Sequence, residues 1–547
     1  MDSCDRASSA SRLAGSALLL ISAGASPAFA CGGMFCDPGP LEVQVVQNAE
    51  RIAFHVDERL GTVEAHVQIF YEGPPDQFGW VVPVSAQPEV FLSTDALFEA
   101  LGTRLAPTVR LNFASEGNCG GRSGCAPPGV NRDASSEVDS GLQFDTDAPP
   151  VEVVDEGQVG PYDFVVLQAD TSDALVSWLQ GHQFAIPDTL TGVLAPYLTP
   201  DAHFLAVRLS KDADAGDIAP LGWRYDGDAA SIPIQLTSIA AAPDLRLEVS
   251  VFGDGRAVPE SYLHVTLNEA QLDWFNGGTN YYDVVSRAAD QAGGHAFATD
   301  YAGPPDLLAG FLWTAAQQAT SLSLADAADA TQFAQLWNEL QVRPNANVRV
   351  ALGGHLDPAP EDGRLDAGML DGVDLAALYT DLDRYVFEPL RVGEALFATP
   401  WVTRMSSSLD AAEMTVDPVF VVNHDMNTPV SNLHEARFVT ECDGKGFNEA
   451  PRRLELSDGR VYRFPPTSEL RMTDGEFWLS EQSDIEAILV ERTGKNGLPE
   501  VVSDLTESAW AEVDTRSGKC GCAPSAAPFA GWLLAMVGGS IVRRRRG

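Results

Sequence analysis

From Val63 to Ile69 apolar and polar residues alternate without a break, with Val63, Ala65, Val67 and Ile69 on one face and Glu64, His66 and Gln68 on the other. A period of two marks a strand with one buried and one polar face. Ile52, Phe54 and Val56 alternate in the same way just upstream, and Asp57 to Gly61 supplies a turn, so an antiparallel hairpin is expected. A third strand should follow over Phe78 to Val84 and a short helix over Ser93 to Leu101. Later strands are expected over 162–168, 203–209, 231–236, 245–252, 263–267 and 295–299. Thr171 or Ser172 should cap a helix carrying Leu175, Trp178 and Leu179, and a helix over Tyr281 to Gln291 should stop at Gly293-Gly294.

Residues 305–400 read as mainly helical, with a short strand over Asn347 to Leu352 and an acidic loop from Asp357 to Asp374. Asp410-Ala-Ala-Glu413 has the spacing of a capping box before a short helix, and from Val416 to about Val513 short strands and turns return. No internal repeat is visible. The fold class is therefore α+β. An antiparallel β-rich N-terminal part with packed helices spans 31–303 and carries a Gly-, Ser-, Asp- and Pro-rich insertion at 114–150. A mainly helical continuation covers 304–425, a smaller β-rich part covers 426–515, and the ends 1–30 and 516–547 stand apart.

Both ends read as addresses. Arg6 and Arg12 precede a short apolar core from Leu13 to Ala25, too short to span a bilayer. Ala28-Phe29-Ala30 then gives the small-x-small pattern of a signal-peptide cleavage site, which would leave Cys31 first. Lipidation of Cys31 is the alternative, but Ala28 stands where that signal takes a leucine-like residue. At the other end Cys520-Gly521-Cys522 precedes an uncharged stretch, Ala526 to Val542, and then Arg543, Arg544, Arg545 and Arg546. Seventeen residues make about 25 Å of helix, enough for a single short transmembrane segment. The arginines place its end in the cytoplasm and the body of the chain outside.

The 547 residues carry 77 acidic and 35 basic side chains, a formal net charge of −42. Only Lys211, Lys445, Lys495 and Lys519 are lysines. So acidic a chain has no basic footprint for phosphates, which argues against a nucleic-acid partner. Of eight cysteines, Cys31 with Cys36 and Cys119 with Cys125 form close pairs that an oxidising compartment would bridge. Closing the loop from Cys31 to Cys36 is worth about 2 kcal/mol in the chain-entropy picture. Zinc fits poorly, because neither pair has the usual spacing or a histidine pair beside it. Cys442 stands alone and reads as a buried or unpaired thiol, its redox state left open.

Candidate chemistry is sparse. His434-Glu435-Ala-Arg-Phe438 begins like a zinc-protease helix, but Phe438 stands where the second histidine must be. There is no Gly-x-Ser-x-Gly elbow and no phosphate-cradling glycine loop. Asp212 to Asp217 resembles a calcium loop, yet its twelfth position is Trp223 rather than a bidentate acid. No cofactor is implied, with weak calcium binding by this stretch or by Asp357 to Asp374 as the alternative. His55 and His66 lie on the polar faces of the expected hairpin, with a turn near Leu60–Gly61 that would set them opposite each other. Together with Glu64 they are the candidate metal ligands.

Several strings together resemble one family. They are Cys31-Gly-Gly-Met-Phe-Cys36, Gln47-Asn-Ala-Glu-Arg-Ile52, Gln68-Ile-Phe-Tyr-Glu-Gly73, Phe78-Gly-Trp-Val-Val-Pro-Val84, Ser177-Trp-Leu179, Thr299-Asp-Tyr-Ala-Gly303 and Glu413-Met-Thr-Val-Asp-Pro-Val-Phe420. The chain is similar here, over about 31–425, to the bacterial secreted family carrying domain of unknown function 2330. That resemblance implies no activity, ligand or catalytic residue. The tail, with its cysteine pair, short span and arginine cluster, resembles the myxobacterial C-terminal sorting signal (MYXO-CTERM). This implies a sorting protease that cuts near Cys520 and Cys522 and leaves the protein at the cell surface.

The expectation is a secreted envelope protein anchored through its tail, acting as a non-enzymatic structural or binding component with a protein or polysaccharide partner that the sequence does not specify. The alternatives are an extracytoplasmic hydrolase and a calcium-dependent adhesion module. A pocket lined by convergent His, Asp and Glu would favour an enzyme, and a flat acidic surface would favour binding.

Overall fold

The computed structural model describes residues 47–68, 79–117, 151–182, 190–199, 202–210, 217–239, 241–443, 449–464 and 484–517. The expected hairpin forms as β1 (Gln47–Asp57) and β2 (Thr62–Gln68), closed by Gly61 N–H donating to Asp57 O at 2.8 Å. Next come β3 (Gly79–Val84), β4 (Glu89–Leu92), helix α1 (Asp95–Arg104) and β5 (Thr108–Glu116). Thr94 caps α1, its side chain accepting from Ala96 N–H. Beyond the insertion follow β6 (Val151–Val159), β7 (Tyr162–Ala169), α2 (Ser172–Gly181), α3 (Leu190–Leu194), β8 (His203–Leu209), β9 (Leu221–Asp226) and β10 (Ala230–Ser231). Thr171 is the cap of α2, as its position before Leu175 and Trp178 suggests.

The chain continues through α4 (Ile234–Thr237), β11 (Ala241–Gly253), β12 (Arg256–Pro259), β13 (Leu263–Leu267), α5 (Tyr281–Gln291) and β14 (Ala296–Gly303). Helix α5 ends as expected, with Gly293 and Gly294 at φ of 93° and 85°, where a side chain would be strained. A helical run follows: α6 (Ala315–Ala325), α7 (Ala330–Leu340), α8 (Ala346–Gly353), α9 (Leu375–Leu382) and α10 (Glu388–Leu396). The last part holds β15 (Trp401–Leu409), β16 (Val419–Asn423), β17 (Leu433–Glu441), β18 (Arg452–Leu456), β19 (Val461–Phe464), β20 (Ala487–Arg492), β21 (Glu500–Asp504) and α11 (Thr506–Ser517).

A ten-stranded sheet runs in the order β21-β20-β13-β14-β15-β11-β1-β2-β9-β4 and draws strands from all three segments that the sequence marks off. Smaller sheets are β3-β8-β7-β6, β19-β18-β17-β5 and β10-β16-β12. The class is α+β as expected; the β3-β8-β7-β6 and β10-β16-β12 sheets are antiparallel, but the ten-stranded sheet and the β17 sheet are mixed. β1 pairs in parallel with β11, β13 with β14, and β5 with β17. β1 and β11, and β5 and β17, lie far apart in sequence, while β13 and β14 are joined by the α5 crossover, and local alternation carries no trace of any of these pairings.

The centre of the large sheet is buried on both faces. Ile52, Phe54, Val249, Val251 and Met405 face one core, which they share with Val82, Val166 and Val207 of the β3-β8-β7-β6 sheet. Ala53, Phe252 and Val402 face a second core built by α1 and the helices between residues 315 and 396. A third core joins α5 to Phe438, Leu454 and Tyr462 of the β17 sheet. Because of the helical layer, the polar face expected on β2 is covered: Glu64 is 6% and His66 1% exposed.

Three local expectations give way. Asn347 to Leu352 is helix α8, because Asn345 caps it by accepting from Val348 N–H and Val348, Ala351 and Leu352 pack at helical spacing. The strand expected over 231–236 stops at Ser231, where Pro233 turns the chain into α4. At 410–413 half of the box forms, with Asp410 N–H donating to the Glu413 carboxylate at 2.8 Å, while Glu413 N–H donates to the Asp410 carbonyl at 2.9 Å and closes a turn rather than a helix. His434 to Phe438 lies on β17, so a helical protease motif is excluded by backbone as well as by sequence. Among the described residues no helix is long and apolar enough to cross a membrane, and the expected segment 526–542 lies outside them.

Candidate functional site

The hairpin places His55 opposite Glu64, while His66 stands opposite Ala53, so the two histidines are offset rather than facing. Both ring nitrogens of His66 are engaged. Nδ1 is 2.8 Å from Ser93 Oγ and Nε2 is 3.0 Å from Glu64 Oε1. Arg224 Nε donates to the other Glu64 oxygen at 3.0 Å. Burial would raise the Glu64 carboxyl, but His66 and Arg224 more than offset it and hold it down at about 2. Burial lowers the His55 imidazole despite the nearby carboxylates of Glu64 and Asp57. With its lone pairs committed, His66 has none to offer a metal. Among the described residues no three His, Cys, Asp or Glu side chains are grouped to hold one. Ser93, His66 and Glu64 do form a serine–imidazole–carboxylate chain. Ser93 is only 2% exposed, however, so its hydroxyl meets no substrate and the chain acts as a buried tie between β2 and the start of α1.

Cys31, Cys36, Cys119, Cys125, Cys520, Cys522, Ala28, Ala30, Arg543, Arg544, Arg545, Arg546 and the Asp212 to Gly216 part of the calcium-like stretch lie outside the described residues. Cys442 is fully buried as expected, but it is disulfide-bonded and not a free thiol.

The chemistry gathers elsewhere, in a cleft of about 610 Å³ between the β13–β14 end of the large sheet and β17. β13 contributes His264 and Thr266, β14 contributes Thr299, β12 Arg256, β17 His434 and β20 Glu491. Loops add Glu269, Asp425, Ser431, Ser457 and Asp458. His264 Nε2 is 2.9 Å from Thr299 Oγ1 and Nδ1 is 3.3 Å from Glu491. His434 Nδ1 is 3.0 Å from Glu269 Oε1, and Ser457 donates to Glu269 Oε2 at 2.9 Å. Burial pushes the Glu269 carboxyl up, and the bonds from His434 and Ser457 together with the charge on Arg460 bring it below its ordinary value. Asp458 is held by Arg460 at 2.6 Å, and Asp425 accepts from Gly497 N–H at 2.7 Å.

Arg256 differs from these. It is 7% exposed, and among the described residues its guanidinium donates only to Thr428 O at 3.3 Å and Thr299 Oγ1 at 3.5 Å. Its Nε has no hydrogen-bond partner among the described residues. Burial lowers its proton affinity, and Glu491 opposes this by charge alone. His434 Nε2 is also without a partner there and is closed off from solvent. No spacing in the sequence could have found this site. Arg256 and Glu491 are far apart in the chain, and His434 stood out only through a helix motif that is in fact a strand.

A second charged group is structural. Arg404, 2% exposed, ion-pairs with Asp300 and with Glu248 at 2.9 Å, and it donates to Tyr282 Oη at 3.1 Å. Tyr281 and Ser406 each donate to Asp300 at 2.8 Å. This network stitches β11, β14, β15 and α5 together.

The geometry defines an α+β scaffold with a cleft lined by charged and polar side chains and a sealed interior ion-pair network. The chain belongs to the family of uncharacterised proteins conserved in bacteria that carry domain of unknown function 2330, which it matches over residues 25–341. Arg256, His264, Glu269 and Thr299 fall inside the matched region, and Asp425, His434 and Glu491 fall beyond it. No curated protein and no solved structure matches the chain.

Proposed function

We propose that the protein is exported, held in the envelope through its C-terminal tail, and serves there as a binding component whose small-molecule ligand sits in the cleft. Export is supported by the apolar run from Leu13 to Ala25 and the cleavage pattern at Ala28 to Ala30, and by a disulfide at Cys442, since such bonds persist in oxidising compartments. Anchoring is supported by the uncharged run before the four arginines, and surface delivery by its likeness to the myxobacterial sorting tail.

The observation that carries the binding reading is the cleft itself. Its 610 Å³ is the size of a small-molecule site, and polar side chains from five strands converge on it. Convergent His, Asp and Glu would suit a hydrolase, but neither imidazole of the cleft is presented to water as a base. Both nitrogens of His264 are engaged, and His434 Nε2 is out of reach of solvent. Binding is the reading that these shielded groups support.

The test is saturation-transfer NMR on the full chain with D-glucose, N-acetyl-D-glucosamine, glycerol 3-phosphate, L-alanine and L-alanyl-L-alanine. Thr266 is exposed and lines the cleft, so Thr266→Trp fills it without entering the core. Transfer to at least one probe, abolished by Thr266→Trp, is expected. Transfer to none, or transfer that survives the tryptophan, overturns the reading.

A further inference from the structure

A cation buried without a counter-ion is costly, because desolvation is not repaid by a partner charge. Arg256 is close to that state, since Glu491 acts on it by charge but makes no direct ion pair with it. Its two bonded acceptors are a carbonyl and a hydroxyl, both at long range, and no ion pair to it is present among the described residues. The neighbouring carboxylate, Glu491, instead takes its bond from His264. An arginine held this way on a cleft wall fits an incoming carboxylate or phosphate, which its planar fork engages with two parallel hydrogen bonds.

The rest of the wall selects between these anions. Glu491, Glu269, Asp425 and Asp458 also line the cleft, and only Asp458 is matched there by an arginine, Arg460. Of the carboxylates and guanidiniums here, the acids outnumber Arg256 and Arg460 by four to two, which disfavours a dianionic phosphate. Asp425 and Glu491 each use one carboxylate oxygen in a hydrogen bond and keep the other available among the described residues. A ligand that carries one negative and one positive group satisfies both sides of the wall.

We propose that the cleft takes a small zwitterion, an amino acid or short peptide, with its carboxylate on Arg256 and its ammonium on Glu491 and Asp425. This rests on the binding reading above and names its ligand class. The Arg256 guanidinium, which makes only two long hydrogen bonds to neutral acceptors among the described residues, is then what the ligand's carboxylate completes, which is the pattern of a site built for recognition rather than for stability.

Isothermal titration calorimetry of the full chain with L-alanine and L-alanyl-L-alanine tests it on the unaltered protein. The controls are N-acetyl-alanyl-alanine, which lacks the ammonium, alanyl-alanine amide, which lacks the carboxylate, and inorganic phosphate. At least one free zwitterion should bind, and each blocked form of the dipeptide should bind at least tenfold more weakly than the free dipeptide. Arg256→Gln should weaken the free zwitterion by at least about 30-fold, as expected when one member of a buried charge pair is removed. Because Arg256→Gln could also loosen the fold, its thermal midpoint is recorded beside it, and the amide control gives the same answer without any substitution. An amide that binds as well as the free acid, or phosphate that binds while both zwitterions fail, overturns the proposal. If glucose or N-acetylglucosamine binds while both zwitterions fail, the ligand class is wrong and the binding reading stands. If every probe fails, both fall.

Discussion

Glu50 lies on β1 in a largely apolar pocket with Phe54, Trp80 and Trp223 around it and a cavity of only about 20 Å³. It is 6% exposed, and its Oε2 has no hydrogen-bond partner among the described residues. Burial pushes its carboxyl from 4.5 up to about 7. Below the lower value both folded and unfolded chains carry the proton and no penalty arises. As pH rises, the unfolded chain ionises first and the folded state loses stability; above about 7 the loss is complete. At about 1.4 kcal/mol per tenfold change in proton affinity, ionising Glu50 in the folded chain costs on the order of 3 kcal/mol. Glu50→Gln keeps the shape and removes the titration. Its amide introduces its own unpaired donor, but that cost is the same at every pH. The informative quantity is therefore the change in the variant-minus-wild-type difference between pH 4.5 and pH 8.5. Urea unfolding followed by tryptophan fluorescence should show Glu50→Gln gaining about 3 kcal/mol on wild type across that range. Parallel pH profiles for the two proteins would refute the reasoning and would mean that water or a partner reaches the carboxylate.

Three further outcomes follow from the same structure. Arg404→Met should leave Asp300 and Glu248 as buried carboxylates without a cation and cost about 3–5 kcal/mol in unfolding experiments; a loss under about 1 kcal/mol would show that the network is not closed. Peptide mapping without reduction should join Cys442 to Cys119. Cys442 N–H donates to Glu116 O at 2.8 Å at the end of the β5–β17 pairing, and Cys119 is within three residues of that point, whereas a Cys119–Cys125 peptide would contradict this. Replacing both Cys520 and Cys522 with alanine should leave unprocessed protein in the inner membrane if the tail is a sorting signal; normal surface delivery of a chain still ending in Arg546-Gly547 would leave a plain anchor.

What the sequence made legible was local. The alternation of Ile52, Phe54 and Val56 located the first hairpin, and Thr171 and Gly293-Gly294 marked helix ends, because each depends on a few adjacent residues. The helix at α8 was misread because Asn347-Val-Arg-Val alternates over too few residues to tell a strand from a capped helix, and the cap at Asn345 decides it. The burial of His66 was also invisible. Its covering layer comes from Ser93 and from Asn347, whose side chain donates to Ser93 O at 2.8 Å across a separation of 254 residues. The cleft was hidden for the same reason: Arg256 meets Thr428, and His264 meets Glu491, only after β12, β13 and β20 are assembled.

The central claim is that the cleft at β13 and β17 is where this protein meets its ligand. With the nine histidines selectively labelled in the imidazole ring, a titration of the full chain with L-alanyl-L-alanine can be followed by NMR at His264 and His434, whose rings line the cleft, against His55 and His66 in the distant hairpin. The account predicts saturable shifts at His264 and His434 with His55 and His66 unmoved. Shifts confined to other histidines, or none at any concentration up to the solubility of the dipeptide, would contradict it.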